Sequence, residues 1–186
     1  MVLLVDVGQG VETVQFNLTW ENPPNKQDYL DGSCLLYGQN GYVAHVDYHH
    51  VTVPAFGGDA KGNVAVMHSG DQPRPPNGWT HVIQIQTQLL PDTVDYLFFS
   101  LSAWNSPNIK AYGRPDVQIV DAEHDGHLAG YQIARAGEQQ AVIMCAMFRA
   151  AMGWRVVEVE RFCAGNARNY TGIQQACAAL MRELTP

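Results

Sequence analysis

"TVQFNLTW", residues 13–20, alternates without interruption: Val14, Phe16, Leu18 and Trp20 fall on one side, Gln15, Asn17 and Thr19 on the other. Successive strand side chains point to opposite faces, so a period of two predicts a strand with one face in a core and one toward water. Working outward, "HVIQIQTQLL" (81–90), "VDYLFFSLSAW" (94–104) and "PDVQIVDAE" (115–123) are of the same kind. "SCLLYG" (33–38) is a short apolar strand closed by the hairpin signal "GQNG" (38–41), and "YVAHVDYHHVTV" (42–53) is rich in β-branched and aromatic residues. "DGHLAGYQIA" (125–134) follows an Asp-Gly turn. "QQAVIMCAMFRAAMGWRVVEVERF" (139–162) mixes helix formers with alternation and is read as a hairpin turning at Met152-Gly153. In "TGIQQACAALMREL" (171–184), Ile173, Cys177, Leu180 and Leu184 follow helical spacing behind Thr171 as N-cap, with Gln174 completing a capping box.

Many short strands and one terminal helix predict a mainly β chain: a two-sheet β-sandwich with a few helices, including a C-terminal helix at 171–184, in a single domain over residues 1–186. The 186 residues are 46% apolar, enough for a core. Net charge is −7 and the 11 Lys and Arg are scattered, which argues against nucleic-acid binding through phosphates. No run of about 18 apolar residues exists, so membrane insertion is not expected. "MVLLVDVGQG" lacks a basic n-region and meets Asp6 early, so no secretory signal is expected either. A cytoplasmic, reducing location follows as an expectation, with Cys34, Cys145, Cys163 and Cys177 as free thiols. They form no CxxC pair, which argues against a thiolate zinc site or a redox dithiol.

No HExxH, GxSxG or P-loop occurs, and no enzymatic activity is expected. His45, Asp47 and His49 share a face if their strand runs straight, yet a straight strand spreads them over about 13 Å. That is too wide for metal–ligand bonds near 2.1 Å, so they read as solvated strand-end residues. His124 and His127 flank the Asp-Gly turn, where exposure alone accounts for them. Loops rich in Asp, Gly, Asn and Ser supply the hard oxygens calcium takes: Asp28, Asp31 and Ser33 in "DYLDGS", Asp59 and Asn63 in "GGDAKGN", Ser69 and Asp71 in "HSGD".

The order of "LTW", "YLDGSCLLY", "VDYHH", "HSGD", "LLPDTVDYLFFSLSAW", "YGRPDVQIVDAE" and "MCAMFRAAMGWRVVEVERFCAG" resembles the TerD family of tellurium-resistance and stress-response proteins over roughly residues 1–168. The resemblance implies a cytoplasmic β-sandwich without enzymatic activity, binding calcium between a "DLDAS" loop and a "GDN" loop that ends in "GDDE". Carried over by residue, it implies Asp31 and Asp71 as metal ligands, with Ser33 and Gly70 beside them. Three positions depart: Tyr29 replaces the first acid, Gln72 the Asn, and Trp79-Thr80-His81 stand about where the acidic run falls. "HSGDQPRPPNGW" (68–79) therefore reads as a calcium loop that has kept its entry and lost its acids, held instead by Pro73, Pro75 and Pro76. Calcium is expected to be absent or bound more weakly than about 10⁻⁴ M. The leading function is a non-enzymatic stress-response scaffold that recognises protein partners or itself. The alternative is a small-molecule-binding or catalytic sandwich using a pocket around Asp31 and Asp71, with His68 and His81 as binding residues.

Overall fold

A computed structural model describes residues 1–7, 10–23, 28–124, 126–133 and 137–184. Asp125 of the Asp-Gly turn and Ala134 at the end of "DGHLAGYQIA" lie outside the described residues.

Among the described residues, twelve strands form two antiparallel sheets. They are β1 (Val2–Val7), β2 (Thr13–Glu21), β3 (Leu30–Gly38), β4 (Gly41–Val46), β5 (Val66–His68), β6 (Gln72–Arg74), β7 (Gly78–Gln86), β8 (Tyr96–Ala103), β9 (Gly113–Asp121), β10 (Gly126–Gln132), β11 (Ala141–Ala150) and β12 (Gly153–Cys163). The first sheet runs β1-β12-β11-β8-β3-β4; the second runs β10-β9-β2-β7-β5, with β6 also on β7. One helix, α1 (Thr171–Leu184), follows. Among the described residues no helix is long and apolar enough to cross a membrane.

The alternation of β2 does what its period requires: Val14, Phe16, Leu18 and Trp20 are buried between the sheets while Gln15, Asn17 and Thr19 are only half-buried. Phe16 stacks on Phe99 of the opposite sheet, ring centroids 3.7 Å apart. The central strands of the first sheet, β3, β8 and β11, are buried on both faces along most of their length. Cys34, Leu36, Leu97 and Phe99 point into the sandwich. Leu35, Tyr37, Phe98, Ile143 and Val157 point outward, where Ile173, Cys177, Leu180 and Leu184 of α1 pack on them. A strand covered on both faces loses its alternation, which is why "LDGSCLLYG" reads as an unbroken run.

Three local readings change. The helix cap falls earlier than Thr171: Asn169 Oδ1 accepts the Thr171 N–H at 3.1 Å, and the Tyr170 carbonyl accepts the first helical bond, from Gln174. The segment 42–53 is not one strand, because β4 stops at Val46 and the chain turns at Asp47. "HSGDQPRPPNGW" is a β-hairpin, with Gln72, Pro73 and Arg74 paired to Thr80, Trp79 and Gly78. Pro73 sits in an edge strand, where a missing N–H removes no ladder bond.

Truncating the helix contact tests the packing. Leu180→Ala is expected to destabilise the protein by about 2–5 kcal/mol in urea unfolding, and the exposed Gln175→Ala by less than about 0.5. Equal effects would mean that α1 does not dock on the first sheet.

Candidate cation site at the open end of β3

The site begins where β4 leaves. Cys34 pairs with Val46, the last residue of β4, and two residues earlier on β3 no strand among the described residues faces Gly32 on that side. The Gly32 N–H and C=O point into this gap, and two histidines of the other sheet fill it. His81 of β7 accepts the Gly32 N–H on Nδ1 at 2.9 Å, and His68 of β5 donates from Nε2 to the Gly32 carbonyl at 3.1 Å. The second nitrogen of each ring is also engaged. His68 Nδ1 accepts the Gly70 N–H at 2.9 Å, and His81 Nε2 donates to Asp71 Oδ1 at 2.8 Å. Both rings are buried and stand 4.7 Å apart, and Trp20 packs edge-on to His81. Burial, with His81 close by, pushes the His68 pKa down to about 4. A Cβ on Gly32 would meet His81 Cβ and Nδ1 and Leu18 Cδ1 at 3.0 Å, so the His81 ring would have to give by a few tenths of an ångström to admit one.

Asp31 and Ser33 flank Gly32 and point to the outer face of the first sheet, opposite Ser102 and Ser100 of β8. Three buried oxygens there have no hydrogen-bond partner among the described residues: Asp31 Oδ2, Ser100 Oγ and Ser102 Oγ. Burial raises the Asp31 pKa to about 7, and Asp71 and Asp47 push the same way, with Arg168 opposing. A buried carboxyl with an unpartnered oxygen in net negative surroundings suits a cation in sign.

The count of ligands is another matter. Asp28 accepts from the Tyr29 and Asn105 N–H groups and from Ser106, pinning the loop after β8. Asp59 caps its own turn through Lys61 and Asn63. Asp71 gives one oxygen to His81, whose hydrogen bond holds its pKa low. The Ser33 hydroxyl bonds the Tyr170 hydroxyl at 2.8 Å, and Gly70 holds His68 through its N–H and the Ser69 hydroxyl through its carbonyl. Calcium takes six to eight oxygens, and these residues fall short of that. Trp79-Thr80-His81 lie in strand β7 and bring no carboxylate.

The turn after β4 is the feature the sequence reading missed. Asp47 is buried; its Oδ1 accepts the N–H groups of His49 and His50, and its Oδ2 accepts the Tyr170 hydroxyl at 2.9 Å. Burial disfavours its charge, yet the His45 side chain together with these donors holds the carboxyl well below the ordinary carboxylate range. His50, not His49, swings back toward His45. A straight-strand picture cannot anticipate this, since the turn is closed by the Asp47 side chain itself. His124 pairs with Asp121 and His127 with Gln118 on an exposed hairpin, as solvent-side residues do. Cys34, Cys145 and Cys177 are buried with raised pKa values, and burial lifts the Cys163 thiol to about 11.

Fold and site together define a β-sandwich whose open strand end gathers carboxylates and histidines. The chain belongs to the TerD family: the family model for the TerD domain matches residues 2–170, which takes in the whole sandwich and stops just before α1. A curated relative, tellurium resistance protein TerZ of Serratia marcescens, is 23% identical over 137 residues, 73% of this chain and 67% of that protein. Two solved structures share the fold. One is a homologue of telluride resistance protein (TerD) from Streptomyces coelicolor A3(2), with TM-score 0.66, 14% identity, and coverage of 88% of this chain and 96% of that one. The other is described as a protein of unknown function, with TM-score 0.67, 12% identity, and coverage of 89% and 97%.

The raised pKa of Asp31 sets a pH dependence. Its folded value of about 7 exceeds the unfolded value of about 3.9, so the folded state holds this proton more tightly. Stability from this group is therefore full below about pH 4 and is lost as pH rises toward 7. His68 contributes the opposite slope over nearly the same window, so the wild type alone does not isolate either group. In chelator-containing buffer, Asp31→Asn is expected to be more stable than wild type by roughly 2–4 kcal/mol at pH 8, at 1.36 kcal/mol per unit, with the advantage vanishing near pH 4. An Asn variant less stable at every pH would contradict the burial argument.

Proposed function

We propose that this chain is a non-enzymatic binding module of the TerD type. It acts as a scaffold for protein partners or for a second copy of itself, in a cytoplasmic stress response of the kind that includes tellurium resistance. Asp31 and Asp71 would hold a calcium ion weakly, with water completing a shell that the protein fills only in part.

One observation carries the reading: all four ring nitrogens of His68 and His81 are already engaged, by Gly32, Gly70 and Asp71. A general base needs a free lone pair within reach of a substrate proton. Here the imidazoles serve as rivets between the sheets, and what remains beside them is a carboxylate site for a cation. This supports the binding reading over a catalytic pocket at Asp31 and Asp71. The protonated, largely buried thiols are poor nucleophiles, which likewise disfavours direct thiol chemistry on tellurite. The name of the Serratia relative supplies the link to tellurium resistance.

Calorimetric titration with calcium decides the ion dependence. Affinity absent or weaker than about 10⁻⁴ M is expected, and Asp31→Asn should remove whatever heat remains. Micromolar affinity abolished by Asp71→Ala would mean that the acid-poor hairpin builds a working calcium site, and the scaffold reading would then need a calcium switch.

A further inference from the structure

We propose that His45, Asp47 and His50 form a site for a borderline divalent transition metal, with zinc as the type ion. This site is distinct from the carboxylate site at Asp31 and does not rest on it. Among the described residues, these three offer one donor atom each, all within 4.8 Å of one another.

The donors are close enough to share one ion: His50 Nδ1 is within hydrogen-bond distance of the Asp47 carboxylate, and the His45 contact is longer than a hydrogen bond and matches two ligands on one ion. His45 Nε2 lies 3.4 Å from Asp47 Oδ2, and His50 Nδ1 lies 3.2 Å from Asp47 Oδ1. Nitrogen-to-oxygen hydrogen bonds span about 2.7–3.2 Å. Two ligands bound to one zinc at about 2.0–2.2 Å with tetrahedral angles stand roughly 3.3–3.5 Å apart. The His45 and His50 rings stand edge to face with centroids 5.0 Å apart, one against each oxygen of Asp47.

The surroundings hold the donors in place. Asp47 Oδ1 is tied to the His49 and His50 N–H groups at 2.9 and 2.6 Å, which fixes the carboxylate plane and turns Oδ2 toward His45. Tyr170 donates to that Oδ2 at 2.9 Å, and its ring lies 4.6 Å from the His45 ring. The other nitrogen of His45, Nδ1, is bonded to the Tyr42 hydroxyl. A metal-bound imidazole characteristically has its second nitrogen held in this way, and a ligating carboxylate is itself hydrogen-bonded. Two imidazoles and a carboxylate suit zinc, cobalt, nickel or copper, whereas calcium takes oxygen. Asp47 is buried but the His50 side chain is 57% exposed, so the fourth position opens to solvent, where water or a partner's side chain completes the tetrahedron. Through Tyr170, the ion would join the turn after β4 to the start of α1.

The test is calorimetric titration of the full chain with zinc chloride alone. Wild type is expected to bind one equivalent, and a tenfold or larger loss is expected for His50→Ala, whose exposed side chain makes unfolding an improbable cause, and for His45→Ala. Tyr170→Phe should weaken binding about tenfold while leaving the three ligands present. His49→Ala and Asp31→Asn should bind zinc within about twofold of wild type, and a large excess of calcium should not displace it. Absence of zinc binding to the wild type overturns the proposal. So does an equal loss in His49→Ala and His50→Ala, which would mark undirected surface histidines. A loss in Asp31→Asn but not in His50→Ala would place the ion at the carboxylate site and end this proposal, while leaving the preceding reading intact.

Discussion

The site depends on how the backbone polar groups of Gly32 are satisfied. A buried N–H or C=O left unpaired costs on the order of 1–3 kcal/mol, and here the strand that should take both ends one pair too soon. Two imidazoles from the opposite sheet take them instead. The two sheets are therefore joined at this point by hydrogen bonds as well as by apolar packing. Gly32, His68 and His81 act together, because both histidines bond the Gly32 backbone and the His81 ring packs tightly where a Cβ on residue 32 would stand.

From that constraint the polar end of the sandwich follows. With Gly32 held from the inner side, Asp31 and Ser33 are fixed on the outer side, in a row with Ser100 and Ser102. With His81 committed on Nδ1, its Nε2 points outward and draws Asp71 back onto the rim. Because β4 departs, Asp47 turns under the chain, and Tyr170, just ahead of α1, reaches both Asp47 and Ser33. His81 stands about where the family resemblance has acids, and its imidazole crosses to Gly32 of the opposite sheet instead.

Much of this was legible in the sequence. The alternation of "TVQFNLTW" marks an amphipathic strand at sight, and the i, i+4 spacing of Ile173 and Cys177 marks the helix, because burial on one face imprints a period. The hairpin at Met152-Gly153 and the family resemblance were equally readable. Asp31 and Asp71 lie close enough to act on each other. What the sequence does not carry is register across sheets. His68 and His81 meet at Gly32 although they are 36 and 49 residues away from it. His50 replaces His49 beside His45 because a side-chain-closed turn breaks the strand period. Ser100 and Ser102 look like ordinary polar positions in a buried strand until their partners across β3 are known.

The clamp on Gly32 is tested most directly by amide hydrogen exchange at that one residue. Its N–H faces away from β8, so an unclamped strand edge would let it exchange within seconds to minutes, as edge amides do. The clamp predicts protection comparable to the amides of the β3–β8 ladder in the wild type, and loss of that protection in His81→Ala while the ladder amides stay protected. Rapid exchange of the Gly32 amide in the wild type, or protection unchanged by His81→Ala, would contradict the account.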